Sequence, residues 1–343
     1  MINIIDMDLR HHCLKLEYVK IMFFSITIPA YKKKYLKEAI DSCLAQSYKD
    51  FELVIVNDHS PEDLDSIVKS YNDSRIRYYV NEKNCGAINV VDNWNKCLEY
   101  AKGDYIICMG DDDRLLPCCL REYSKLIEKY PKLKVYHAWT QMIDDNGEMY
   151  MYQESRPEYE GAYALLWHRW LFRNWQFIGD FCFSTDNLRA QGGFFKLPLA
   201  WSSDDITVFR AALQGGIANT QIPCFQYRSN AQTISSNGNS EMKIKALSDA
   251  KKWYLNELKE YKGLIGTEVE NTERNFYYLL SKAIVSYYRK RFFWTFNEAL
   301  ASKNWCLHFW KRTAPDFFVS PHDVVKEVYN YYMKKFFHIG NSY

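Results

Sequence analysis

Three adjacent carboxylates, Asp111, Asp112 and Asp113, follow the apolar run from Tyr105 to Met109. Side chains of this kind repel one another, and a hard divalent cation relieves the repulsion while taking oxygen ligands. A cation held there grips a diphosphate and neutralises charge as that group departs. A solvated acidic turn, or a helix start favoured by the helix dipole, is the plainer reading. The buried strand before the triplet and Pro117 after it favour metal, with any two of the three as ligands. A second pair, Asp204-Asp205, stands in Trp201-Ser202-Ser203-Asp204-Asp205. One of the two suits a general base that takes a proton from an acceptor hydroxyl, although Ser203 and Asp204 also suit a helix N-cap. His11-His12 looks like a metal pair but sits in a tail, and His59 reads as a loop residue beside Asp58. Neither Gly-x-Gly-x-x-Gly nor Gly-x-x-x-x-Gly-Lys-Ser/Thr occurs, so dinucleotide enzymes and P-loop nucleotidases lose ground. Phosphate then falls to metal and scattered polar groups.

The elements that must position these residues alternate. Phe23 to Ile28 reads as a buried strand stopped by Pro29. Leu36, Ala39, Ile40, Cys43 and Leu44 repeat at helical spacing. Leu53 to Val56 is a second strand ending in Asn57-Asp58, Leu64 to Tyr71 a second helix, and Ile76 to Val80 a third strand. A helix from about Ile88 to Ala101 precedes the strand that ends at the aspartates. Such alternation predicts a mainly parallel sheet flanked by helices. Sheets of this type bind ligands at the carboxyl ends of their strands, where Pro29-Ala30-Tyr31, Asp58 and Asp111–Asp113 all fall. Asp144-Asp145-Asn146-Gly147 predicts a hairpin turn. The stretch from about 150 to 238 mixes short strands with loops, Ser235–Ser240 reads as a linker, and the rest is helical.

Composition bounds the class. A chain of 343 residues with 48% apolar and 25% charged residues supports a sizeable core. Residues 239–343 hold 17 Lys+Arg against 11 Asp+Glu, a net of +6, so the total of +2 leaves −4 on the first 238. Nothing in that balance points to nucleic acid, but a basic, aromatic tail suits an anionic membrane surface. The ten cysteines show neither zinc spacing nor a disulfide framework and read as reduced thiols of a cytoplasmic protein. No run approaches the roughly 18 apolar residues of a membrane-spanning helix. Residues 1–21 read as an extension, 22–238 as the catalytic domain and 239–343 as a helical region. In that region Phe276, Leu279, Leu280, Ala283, Ile284 and Tyr288 repeat at helical spacing before Arg289-Lys290-Arg291 and Phe292-Phe293-Trp294. Either an interfacial helix at the inner face of a membrane or a packed helix fits this pattern.

Taken in order, Ser25-Ile26-Thr27-Ile28-Pro29-Ala30-Tyr31, Val54-Ile55-Val56-Asn57-Asp58-His59-Ser60, Asn84-Cys85-Gly86 and Gly103-Asp104-Tyr105-Ile106 resemble the family 2 glycosyltransferases with a GT-A fold. Gly192-Gly193-Phe194, Asp204-Asp205, Arg210, Gly215 and Tyr227-Arg228 resemble that family's acceptor half. The resemblance implies an α/β GT-A architecture: a nucleotide-binding half, an acceptor half and, here, a helical appendage. It implies donor contacts from Pro29, Ala30, Tyr31, Asp58, Asn84, Gly86, Asn93 and Asp111, and Mn²⁺ or Mg²⁺ on Asp111, Asp112 and Asp113. The family often has Asp where this chain has Gly110, so the Asp-x-Asp pattern moves onto Asp111 and Asp113. Lys32 stands where an asparagine often follows the tyrosine, Trp94-Asn95 replaces an Arg-Asn, and Asn230 replaces a histidine. Counting back from Arg210 puts the family's base on Asp204, with Asp205 one residue out of register.

The implied reaction is a single displacement that inverts the anomeric centre. The donor is a nucleoside diphosphate sugar, most often a UDP-sugar, and the acceptor a carbohydrate or lipid-linked glycan of a bacterial surface. A non-catalytic nucleotide-sugar-binding module and a nucleotidyltransferase are the competing classes. The second usually shows a glycine-rich loop where this chain reads Ala30-Tyr31-Lys32-Lys33-Lys34.

Overall fold

The computed structural model describes residues 22–230, 239–303 and 305–336. The N-terminal extension with His11-His12, and the linker up to residue 238, lie outside them. The first half is strand β1 (Phe24–Ala30), helix α1 (Leu36–Leu44), β2 (Phe51–Asn57), α2 (Asp65–Lys69), β3 (Ile76–Val80), α3 (Val90–Tyr100) and β4 (Tyr105–Cys108). These strands lie in the order β3-β2-β1-β4, all parallel. Helices cover both faces of β1 and β2, so the side chains of both strands are buried except for the half-buried Pro29.

The strand through Pro29 is longer than its sequence suggests. β1 runs past the proline to Ala30, pairing Pro29 with Val56 and Ala30 with Asn57. On its other side β4 has already ended, with Thr27 opposite Cys108. Met109 N still donates to Thr27 O at 2.9 Å, and the missing N–H of Pro29 ends the ladder on that side while the pairing with β2 goes on.

Past the aspartates come β5 (Arg114–Leu115), α4 (Cys119–Lys129), β6 (Val135–Ile143), β7 (Met149–Tyr152), β8 (Tyr159–Glu160), α5 (Ala162–Trp170), β9 (Phe181–Ser184), α6 (Thr185–Ala190), α7 (Ser203–Ala212) and β10 (Ile217–Arg228). The sheet continues β4-β9-β6-β10-β5, with β7 on β6 and β8 on β10. β9 runs antiparallel to both neighbours while β10 is parallel to β6. The sheet is thus parallel in its first half and mixed in its second. The expected hairpin joins β6 to β7, with Gly147 at φ +84°.

Among the described residues four helices follow: α8 (Ser240–Glu257), α9 (Glu270–Ser302), α10 (Leu307–Thr313) and α11 (Pro321–Phe336). The Asn239 side chain caps α8 by accepting from Glu241 N and Met242 N. One hydrophobic cluster joins Val91 and Trp94 of α3, Leu165 and Trp170 of α5 and Phe209 of α7 to Leu247, Leu280, Tyr288 and Trp310 of the C-terminal helices. Leu280, Ile284, Tyr288 and Phe292 of α9 are all buried, so of Phe292-Phe293-Trp294 only Trp294 is exposed. Among the described residues no helix is long and apolar enough to cross a membrane.

One link from this region reaches far back. Helix α5 begins at Gly161, which offers no capping side chain. The Glu273 carboxylate of α9 supplies the cap, accepting from Tyr163 N at 2.9 Å and Ala164 N at 3.2 Å. A Cβ on Gly161 would stand 2.0 Å from that carboxylate, so the glycine makes room for it.

Candidate active site

The carboxyl ends of β1, β2, β3 and β4 form one rim. At the end of β1, Tyr31 N and Lys32 N both donate to Asp111 Oδ2 at 2.7 Å. Asp111 is buried, and burial together with the neighbouring Asp112 pushes its pKa up to about 6. Its visible task is to fix the chain after Pro29-Ala30. Tyr31 itself is exposed on this rim.

Asp58, after β2, is held from three directions. Its Oδ1 accepts from Asn81 Nδ2 at 2.9 Å and Cys85 N at 3.0 Å, and Asn84 Nδ2 donates to its backbone carbonyl at 2.7 Å. The Asp58 side chain is buried, and the Cys85 thiol also lies against it. Asn93 sits behind this pocket, buried, accepting from Asn81 Nδ2 and donating to Val56 O. Gly86 carries φ +77°, the left-handed conformation that lets the loop turn into α3. His59 is exposed beside the pocket, its ring against Asn81 O. Asn81 carries no signal in its type or spacing. The available signal was position, because Asn81 follows β3 as Asp58 follows β2.

Asp113 is also buried, which raises its pKa well above the ordinary carboxylate value. Its Oδ1 accepts from Arg228 N at 2.9 Å. The Arg228 guanidinium is fully buried; it donates to Asp112 O at 2.8 Å and Glu38 Oε2 at 2.7 Å and stacks 4.1 Å from the Tyr35 ring centre. Arg228 thereby fastens the end of β10 to the aspartate loop and to α1. Asp112 has Asn230 Nδ2 at 2.9 Å and Lys32 Nζ at 3.9 Å from its Oδ2.

Gly110 explains the shifted acidic pattern. A Cβ there would meet Asp113 Oδ2 at 2.8 Å and Asp112 Oδ1 at 2.9 Å. Two carboxylate oxygens therefore face the hollow that a side chain at 110 would fill. Two carboxylate oxygens of this kind would suit a hard cation. Among the described residues no three His, Cys, Asp or Glu side chains converge as a ready-made metal cage. Asp111, turned toward the backbone of Tyr31 and Lys32, is not part of the pair over Gly110.

Asp204 and Asp205 open α7 after a contorted segment in which Leu199, Ala200 and Ser202 all have φ between +53° and +71°. Non-glycine residues held there store strain, and such strain gathers at functional sites. Asp205 is buried in a two-pronged pair with Arg169, at 2.7 and 3.4 Å. Asp204, partly exposed, accepts from Asp205 N at 2.9 Å. Burial and the adjacent Asp205 push its pKa up to about 8. The turn Pro198–Ala200 packs against the Ala87–Asn89 turn, so the donor loop and the approach to Asp204 lie side by side. Arg169 gave no sequence signal, since only the packing of α5 on α7 brings it to Asp205.

Residues 25–194 match the family profile described as glycosyl transferase family 2. An uncharacterized glycosyltransferase of Methanocaldococcus jannaschii is 34% identical over 139 residues, 39% of this chain and 46% of that protein. The GalNAc(5)-diNAcBac-PP-undecaprenol beta-1,3-glucosyltransferase of Campylobacter jejuni is 33% identical over 108 residues, 31% of this chain and 33% of that one. Each match thus spans under half of the relative's length. Among solved structures, Staphylococcus aureus TarS 1-349 in complex with UDP-GlcNAc superposes with TM-score 0.64 over 91% of this chain and 89% of that one. At 16% identity that likeness is one of fold. The architecture is GT-A-like, a curled mixed sheet between helices. The chain is a member of glycosyl transferase family 2.

Proposed function

We propose that the protein is an inverting, metal-dependent glycosyltransferase. It takes a sugar from a nucleoside diphosphate donor, a UDP-sugar first among them, and passes it to a hydroxyl of a carbohydrate or lipid-linked glycan during bacterial surface polysaccharide or glycolipid synthesis. The observation that carries this reading is the pair of carboxylate oxygens over Gly110, on the same rim as the Asp58 pocket. The undecaprenol-linked acceptor in the Campylobacter jejuni relative's name and the UDP-GlcNAc bound to TarS support it.

In this reading Asp58 and the Asn84–Gly86 loop hold the base and ribose, with Tyr31 against the base. Asp112 and Asp113 hold Mn²⁺ or Mg²⁺, which supplies charge neutralisation at the diphosphate. Asp204 takes the acceptor proton as the hydroxyl attacks the anomeric carbon, and the diphosphate leaves from the opposite face. Asp204 is preferred over Asp205 because the Asp205 carboxylate is already engaged by Arg169. The enzyme works at the cytoplasmic face of the membrane, near which the exposed Tyr278, Leu279, Val285 and Trp294 of α9 would hold it.

The test is a thermal-shift series with UDP, GDP, dTDP and CMP, each with Mn²⁺, Mg²⁺ or EDTA. A ligand that binds only the folded state raises the melting temperature. Stabilisation by one nucleoside diphosphate only with metal, abolished in Asp112→Ala, is the expected result. No shift under any condition would remove the donor site. Release of pyrophosphate rather than nucleoside diphosphate would turn the reading to nucleotidyl transfer.

A further inference from the structure

Between the two carboxylate sites runs a short loop with an exposed indole at its centre. Trp175 is 42% exposed, while its neighbours Asn174 and Gln176 are buried. Large apolar side chains that stand in solvent usually sit on mobile or plain helical surfaces. This one sits on a backbone pinned at several points. Asn174 O accepts from Arg169 Nη1 at 3.2 Å, the same guanidinium that holds Asp205. Trp175 O accepts from Gln153 Nε2 at 3.0 Å and from Arg156 Nη2 at 2.6 Å. The Phe177 ring lies flat on Tyr227, 3.7 Å between centroids, and Tyr227 immediately precedes the Arg228 that fastens Asp113. Three residues of chain reach at most about 10 Å. The loop is therefore a short bridge whose one end is tied to the Asp205 ion pair and whose other end abuts the strand that carries Arg228.

We infer that Trp175 is the platform for an acceptor sugar, stacking its indole on the apolar face of a neutral pyranose. An indole presents a broad apolar surface at little entropic cost, and an anchored backbone leaves little further to lose on binding. The Trp175 ring stacks on no other ring among the described residues, so its face is open to a ligand. A second platform lies within reach across Gln153. Trp139 Nε1 donates to Gln153 O at 2.9 Å, and the Trp139 ring lies 5.8 Å from that of Tyr152, which is 46% exposed. Two ring surfaces flanking one anchored glutamine suit consecutive units of a glycan chain better than a bare polyol or lipid phosphate. The acceptor class is thus a neutral oligosaccharide end. The inference rests on the transferase reading for the word acceptor, but the binding event it describes stands by itself.

The experiment is calorimetric titration of the full-length protein with a panel of neutral tri- to pentasaccharides, built from hexoses and N-acetylhexosamines, in the presence of UDP and Mn²⁺. Wild type, Trp175→Ala and Trp175→Phe are compared, with melting temperatures as the check on folding. At least one oligosaccharide binds wild type and Trp175→Phe, while Trp175→Ala weakens it by about tenfold or more. The thermal response to nucleoside diphosphate and metal stays unchanged across the three. Equal affinity for wild type and Trp175→Ala, or binding of no panel member by wild type, overturns the inference even if nucleotides bind normally. Oligosaccharide binding that depends on Trp175 in a protein that no nucleotide stabilises would instead sink the transferase reading and leave the subsite standing.

Discussion

The donor rim and the acceptor side are built by different means. On the rim, carboxylates after successive parallel strands are fixed by main-chain N–H groups: Asp111 by Tyr31 and Lys32, Asp58 by Cys85, Asp113 by Arg228. The sheet itself delivers those donors. On the acceptor side the carboxylates do not follow a strand of the sheet but open helix α7. Asp205 is fixed by the guanidinium of Arg169 from another helix, after a stretch of strained backbone. The first arrangement is preorganised by topology, whereas the second depends on side-chain packing among helices α5, α7 and α9.

Variants that strike one side and spare the other sharpen this contrast. The largest expected effect is that of Asp204→Asn, which lowers kcat by roughly 10²–10⁴ as general-base catalysis is lost. Nucleoside diphosphate and metal still raise the melting temperature of that variant as in wild type. Equal turnover in the variant would break the comparison at its root. Arg169→Met comes next. Leaving Asp205 buried without its partner costs about 3–5 kcal/mol, read in urea unfolding, and Arg169→Met combined with Asp205→Leu recovers most of it.

The third expectation concerns pH. Because Asp204 is held at about 8 by burial and Asp205, kcat/KM of the free enzyme rises with pH and levels off near that value. Asp205→Asn removes the neighbouring charge and moves the rise to lower pH. The stability linkage has the opposite sign. A carboxyl whose folded pKa is raised stabilises the fold fully only below its unfolded pKa, and that contribution is lost as pH climbs from about 4 to about 8. Asp204→Asn should therefore flatten the fall in melting temperature across that window. The smallest effect falls on the rim: Asn230→Ala removes one hydrogen bond to Asp112 and weakens metal-dependent nucleotide binding by about 0.5–1.5 kcal/mol. A loss as large as that of Asp112→Ala would make Asn230 a direct ligand contact instead.

The same contrast explains what could be read from the chain. Strands buried on both faces appear as apolar runs, and the residues after them fall at one rim whatever their exact geometry. Asp58 and Asp111–Asp113 were therefore legible. Asn81 was legible in principle by its place after β3. Which carboxylates pair was not, because that depends on Gly110 leaving a hollow and on Arg228 arriving from the far end of β10. Pro29 misled because its missing N–H ends the pairing on one side of β1 only, while β2 still pairs on the other. Arg169, Asn174 and Trp175 carry no periodic signal at all. They meet their partners only through tertiary packing, in the stretch where alternation of strand and helix breaks down.

The Glu273 cap on α5 bears on how the molecule comes into being on the ribosome. Chains emerge amino end first, and domains fold as they appear. The strands of the donor rim are complete by residue 108, long before α9 exists. Helix α5, which carries Arg169, waits for a carboxylate 110 residues further along before its first turn is satisfied. The parallel strands would thus stand well before the first turn of α5 is secured, while the Asp113 contact to Arg228 waits for β10 and the α5 cap waits longer still, for α9.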